Sequence, residues 1–165
     1  MRARALFDLV TDSKLRGCDV AKVRIGDLVL GGQVRASAIV VQAKTSKPVQ
    51  FELTQDARAS LLAWLDRRGD TLTDYVFPSR IDPAHHLSTR QYARLVDVWV
   101  VVVGLRREEY GMHSPLRTKA SIIYKETGNL RAVQIQLGHT KIENTVRNLG
   151  VDVEDALALA EGTEI

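Results

Sequence analysis

Two short stretches of this sequence gather the residue types that handle phosphate: LGHTKIENTVRNLG, from Leu137 to Gly150, and HSPLRTK, which begins at His113. In the first, Thr140 can cap a helix and Glu143 follows three residues later, the spacing of a capping box, so His139 is held just before a helix N-terminus. An imidazole beside free backbone N–H donors suits a phosphate oxygen. In the second, His113 and Arg117 are four residues apart and share a face if both lie on one helical turn. Cleavage of a phosphodiester proceeds by in-line attack through a transition state with extra negative charge on the non-bridging oxygens. Its catalysis is mostly positioning and electrostatic stabilisation. Guanidiniums can grip those oxygens bidentately, imidazole adds hydrogen bonds and proton transfer, and a lysine can protonate the departing oxygen. Such chemistry needs neither a metal nor a cofactor, and none is expected.

The string from Leu137 to Gly150 resembles the signature of the tyrosine recombinases, the phage integrase family: a Leu-Gly-His turn, a Thr-Val-Arg helix, then a nucleophilic tyrosine. The resemblance covers essentially the whole chain. It implies an α+β fold, mainly helical with a small three-stranded antiparallel sheet, acting on double-stranded DNA by strand breakage and rejoining through a 3′-phosphotyrosyl link. Carried over position by position, Arg16 in an LRG turn, Lys44 in the string KTSKP, His113 and His139 match the family's catalytic residues. Two positions depart. The second arginine, three after His113, is Leu116, and the nucleophile, nine after His139, is Asn148. Leucine supplies no charge and an amide is no oxyanion nucleophile, so cleavage is expected to be impaired. Arg117 is a candidate substitute for the lost arginine, although one step along a helix turns a side chain by ~100°.

Under the same resemblance the DNA contacts would come from Arg16, Lys44, Lys47, His113, Arg117, Lys119, His139, Lys141 and Arg147. Taken without it, Arg16 reads as a surface arginine and Lys44 as a solubilising lysine at a hairpin tip. Tyr124, at helical spacing with Ile123, reads as packing; Tyr110, just before His113, is the other nearby tyrosine. The leading function is a DNA-binding integrase or site-specific recombinase domain with impaired cleavage. One alternative is an active recombinase using Arg117 and a non-standard nucleophile. The other is a protein-interaction module that docks onto an active recombinase.

The elements that must position these residues follow from periodicity. Ala5, Leu6, Leu9 and Val10 give one apolar stripe over a helix from Arg4 to Ser13, with Gly17 expected to break it and Asp19 to cap a short turn ending near Val23. From Ile25 to Leu53 the period is two, which predicts three antiparallel strands with Gly31-Gly32 as one turn and residues 44–48 as a loop. Thr54 starts a helix ended by Gly69, with Leu61, Leu62, Trp64 and Leu65 on its buried side. Tyr75 to Pro78 is a short extended piece, and the loop with His85 and His86 makes a poor metal pair. Ser88 and Gln91 form a second capping box, opening a helix through Val103 whose apolar second half should lie in the middle of the fold. Helices at about Pro115–Thr127 and Leu130–Leu137 follow, closed and separated by Gly128 and Asn129, and an amphipathic helix from Asp152 to Glu161 ends the chain.

A chain of 165 residues is expected to be a single domain, beginning close to the start of the catalytic domain, without the N-terminal core-binding domain that family members use to close around DNA. The longest apolar run, Val98 to Val103, is far below the roughly 20 residues of a membrane span, and no signal peptide precedes it, so a cytoplasmic location is expected. The lone Cys18 excludes an internal disulfide and reads as core filler. Net charge is +3, yet residues 151–165 carry five acids and no base, leaving the rest at +8. That body favours a polyanionic partner, while on charge alone a solvated mixed-charge surface is the alternative. The family resemblance further implies a homo-oligomer or other recombinase protomers as partners, reached through the C-terminal helix.

Overall fold

Ala5, Leu6, Leu9 and Val10 line one side of α1 (Arg2–Ser13) and are at most 1% exposed, so the first helix is the axis of the core. This is seen in a computed structural model of the chain that describes residues 1–69, 71–102, 104, 106, 114–137 and 142–149, the side chains of 114–120, 136, 137, 144, 147 and 148 excepted. The chain forms two compact units, Met1–Leu116 and Arg117–Ile165.

In the first unit, α1 does not run on to Gly17. Lys14 takes a left-handed conformation with φ 54°, and its N–H closes on the Val10 carbonyl at 3.2 Å. Gly17 instead opens α2 (Gly17–Val20), for a packing reason given below. Ile25 and Leu28 are not strand residues either. They are the buried positions of a single helical turn, α3 (Ile25–Leu28), whose N-cap Arg24 donates its backbone N–H to Asp27 Oδ2 at 2.8 Å.

Small antiparallel sheets do follow, but they are divided. β1 (Val29–Leu30) pairs with β2 (Gln33–Val34), and β3 (Ser37–Val41) pairs with β4 (Pro48–Glu52). The predicted single three-stranded sheet is thus two ribbons. Gly31 and Gly32, at φ +60° and +76°, make the tight turn of the first, as a two-residue hairpin requires. The second keeps Ala38 and Phe51 inward and cross-strand paired, while Ile39 and Val41 face out.

Helix α4 (Gln55–Arg68) lies against α1. Its start is fixed by a buried carboxylate on α1: Asp12 Oδ2 accepts from Thr54 N at 2.8 Å and from Thr54 Oγ1 at 2.7 Å. Thr54 Oγ1 in turn accepts from Ala57 N, and Gly69 ends the helix in the left-handed region. Leu61 is fully buried, whereas Leu62 is partly exposed. The Tyr75–Pro78 segment is extended, bridged to Arg24 and His86, with Val76 and Phe77 completely enclosed. Trp64 Nε1 donates to the Val76 carbonyl at 2.9 Å, and Arg68 donates to the Tyr75 and Val76 carbonyls.

Helix α5 (Thr89–Val102) opens with the predicted reciprocal pair: Gln91 N donates to Ser88 Oγ and Ser88 N to Gln91 Oε1, each at 3.1 Å. Ser88→Ala is expected to lower stability by about 1 kcal/mol, the usual cost of a lost cap, read from the urea midpoint at unchanged slope. Its second half is not central. Only the stripe Tyr92, Val96 and Val100 is buried, and Val98, Val101 and Val102 are more than half exposed. Apolarity all round a helix marks no preferred face; spacing of four decides which valines reach the core.

Helix α6 (Ser114–Thr127) is ended by Gly128 at φ 62°, whose N–H bonds the Tyr124 carbonyl at 2.8 Å. In the second unit, Asn129 Oδ1 then accepts from Ala132 N at 2.9 Å and starts α7 (Leu130–Leu137), which packs on α8 (Ile142–Leu149). Val133, Gln134 and Thr145 are buried there. Residues 152–161, read as a closing helix, lie outside the described residues, as do Thr140 and Tyr110. Among the described residues no helix is long and apolar enough to cross a membrane.

Candidate functional site

Arg16 is the residue immediately before α2, extended at φ −63°, ψ 149°. It is half-buried, and its Nη1 is enclosed without a hydrogen-bond acceptor among the described residues. An unpaired buried donor costs about 1–3 kcal/mol, which an anion held by the same guanidinium would offset. Lys44 and Lys47 are exposed in the loop that joins β3 to β4. That loop has defined geometry: Gln42 N donates to the Lys47 carbonyl and Ser46 N to the Gln42 carbonyl, both at 2.9 Å, and Thr45 Oγ1 donates to Gln42 Oε1 at 2.8 Å. Ser46 takes φ 51° to complete the turn.

The arginine turn and the lysine loop, 28 positions apart, are joined by one bond. Asp19, on α2 and 2% exposed, accepts the Ala43 N–H on Oδ1 at 2.8 Å. Ala43 directly precedes Lys44. The expected capping role of Asp19 is therefore corrected: no side chain caps α2, and this carboxylate instead anchors the hairpin. Its Oδ2 is buried without a partner among the described residues. Sequence reasoning missed this function. The signal available was an acid three residues after the arginine, a spacing that on a helix keeps it near the same face.

Leu116, Arg117 and Lys119 lie in the first turns of α6, and Arg147 and Asn148 in the last turn of α8. His113, His139 and Lys141 lie outside the described residues. Tyr124 is half-buried on α6. Among the other tyrosines, Tyr92 is buried on α5, and burial pushes its phenol well above the ordinary range. It stays protonated at neutral pH and serves as a packing ring.

A second basic feature was not anticipated. A cleft of about 500 Å³ is bordered by Arg2, Arg80, Arg94 and Gln91 over a floor that includes Leu87, Leu95 and Val98. Arg2 donates to the Pro78 carbonyl at 2.6 Å, and its pKa is lowered by burial first and then by repulsion from Arg80 and Arg68.

A family model described as the phage integrase family matches residues 1–152. The chain belongs to this family. Among curated relatives, the tyrosine recombinase XerC of Xanthomonas campestris pv. campestris (strain B100) is 30% identical over 145 residues, covering 88% of this chain and 43% of that protein. The chain spans about half the length of the curated relatives it matches. Among solved structures, XerA recombinase superposes with a TM-score of 0.77 at 18% identity, covering 99% of this chain and 57% of that one. The XerH site-specific recombinase bound to a palindromic difH substrate, a post-cleavage complex, gives 0.75 at 21% identity over 98% of this chain and 45% of that one. These structural likenesses support the mixed tyrosine-recombinase fold. Integrase-family membership agrees with the signature at Leu137–Gly150.

Proposed function

We propose that this chain is a DNA-binding recombinase domain whose Arg16, Lys44, His113 and His139 face one phosphate, and whose strand cleavage is impaired by Leu116 and Asn148. The observation that carries the reading is the link from the Arg16 turn through Asp19 to the Lys44 loop, beside a guanidinium nitrogen that no acceptor among the described residues satisfies. That bond ties the segment carrying Arg16 to the loop carrying Lys44, and gripping a phosphate calls for more than one such cation. Support also comes from the recombinases of similar fold that were solved on DNA, among them XerH on its difH substrate. Arg147, Lys119, Lys47, Lys141 and Arg117 would extend the contact along the backbone, and Arg117 is the nearest basic substitute for the lost arginine.

The test is a gel-shift titration against duplex DNA at low and moderate salt. Binding should weaken steeply as salt rises, because each phosphate contact releases counterions. Arg16→Ala is expected to reduce affinity roughly 10- to 100-fold, the worth of a charge-assisted hydrogen-bonded contact. Lys44→Ala should flatten the salt slope by about one. Absence of binding at every salt concentration would overturn the reading.

That last outcome would favour the docking module. Its support is the arginine-bordered cleft, which continues onto the exposed Val101 and Val102 of α5, together with an acidic segment at residues 151–165 that carries Leu157 and Leu159. An acidic, apolar segment from a neighbouring protomer matches such a surface in both charge and polarity.

A further inference from the structure

Gly17 follows Arg16 directly and lies against the ring of Tyr92 on α5. A Cβ at this position would stand 2.5 Å from Tyr92 Cε1 and 2.6 Å from Cδ1, where carbon atoms normally keep about 3.5–4.0 Å. The ring has little room to withdraw. Tyr92 is 1% exposed and meets Trp99 edge to face at 6.5 Å, and Trp99 meets Phe7 of α1 in the same manner at 5.3 Å. Gly17 is not in a left-handed conformation, so its lack of a side chain serves proximity rather than backbone freedom.

We infer that Tyr92 is a positioning residue for the Arg16 guanidinium: its ring sets how deeply α2 seats against α5, and Arg16 leaves the chain from the edge of that seat. Asp19 belongs to the same four-residue helix, so the depth of the seat also sets where the Lys44 loop is anchored. A single methyl at residue 17 must displace either the helix or the ring by about 1 Å. A hydrogen bond near 2.9 Å does not survive such a shift, and misplacements of this size can cost catalytic groups on the order of 100-fold. The inference rests on the reading of Arg16 as a phosphate ligand, and its test separates the two.

The full chain is compared with Gly17→Ala, Tyr92→Phe, Gly17→Ala/Tyr92→Leu, Arg16→Ala and Arg16→Ala/Gly17→Ala. Two readouts are taken: the Arg16 Nε–Hε resonance, assigned by its disappearance in Arg16→Ala, and affinity for a duplex oligonucleotide at low salt. Gly17→Ala should move the resonance and weaken binding about tenfold. Gly17→Ala/Tyr92→Leu, which makes room for the methyl, should return the resonance and bring affinity within about threefold of the original. Tyr92→Phe keeps the ring edge and should leave the resonance in place. In the Arg16→Ala background, adding Gly17→Ala should cost clearly less than in the original chain, no more than Lys44→Ala costs through the loop that Asp19 anchors, whereas a merely structural role would give fully additive losses. Additive losses, or an unmoved resonance in folded Gly17→Ala protein, would overturn the inference. Should Gly17→Ala not fold, Tyr92→Leu alone opens the seat and must move the same resonance; if it does not, the inference is again overturned. If the original chain binds no DNA but the resonance moves and recovers as described, the DNA reading falls and the positioning role stands.

Discussion

A chain carrying both Leu116→Arg and Asn148→Tyr is expected to form a covalent adduct with a nicked recombination-site duplex, at least about 100-fold above the unaltered chain. The tyrosine oxygen, passing its proton to an imidazole of His113 or His139, would attack phosphorus as the bond from phosphorus to the 5′-oxygen breaks, with the departing oxygen taking a proton from Lys44 and the phosphate remaining as a 3′-phosphotyrosyl ester. Each reversion supplies a different part of that step. Asn148→Tyr alone provides the nucleophile but leaves transition-state charge uncompensated at residue 116, and removal of one such electrostatic donor typically costs 100- to 1,000-fold. Leu116→Arg alone provides charge with nothing to attack. Denaturing electrophoresis of end-labelled DNA reads the adduct directly. A folded double variant that traps nothing would refute impaired cleavage as the account of these two substitutions. Adducts from the unaltered chain would point instead to Arg117 and a non-standard nucleophile, and their loss in Tyr110→Phe or Tyr124→Phe would name it.

Asp19→Ala is expected to loosen the lysine loop while changing global stability little. Two effects oppose each other. The Ala43 N–H loses its acceptor, worth about 1–3 kcal/mol locally. Removal of the carboxylate also removes Oδ2, a buried oxygen with no partner among the described residues, and so relieves part of its desolvation. The thermal midpoint should therefore move only slightly, but exchange of the Ala43 amide should accelerate roughly 10- to 100-fold, since the local opening carries the whole cost. DNA affinity should fall to near that of Lys44→Ala. A large drop in thermal midpoint with unchanged Ala43 exchange would show that the carboxylate supports the core and not the hairpin.

The legible parts of this fold were those whose signals are local. The Ser88–Gln91 pair, the Thr54 start and Gly69 end of α4, and the Gly31–Gly32 turn each depend on residues a few positions apart, and all were found where the sequence put them. What escaped was decided by distant partners. The carboxylate of Asp19 looks like a cap until its acceptor role toward Ala43 is seen, 24 positions away. Gly17 looks like a helix breaker, yet the break falls at Lys14 and the glycine answers to Tyr92. The valines of α5 carry no mark of which ones will be covered. Ile25 and Leu28 fit an alternating strand pattern as well as a helical turn, because a spacing of three over so short a stretch distinguishes neither. For the candidate site, the family resemblance pointed to Arg16 and Lys44, but the Asp19–Ala43 bond that joins their segments could not be read from the sequence.

Because α1 is the axis of the first unit, the order in which the chain is made matters. Its stripe from Ala5 to Val10 emerges from the ribosome ahead of Phe51, Leu61, Phe77 and Val100, the residues with which it shares the core. At the usual pace of synthesis, on the order of 5–20 residues per second, this greasy segment waits several seconds for its covering partners. A nascent chain of this kind should therefore engage holdase chaperones early and release them only after α5 has emerged.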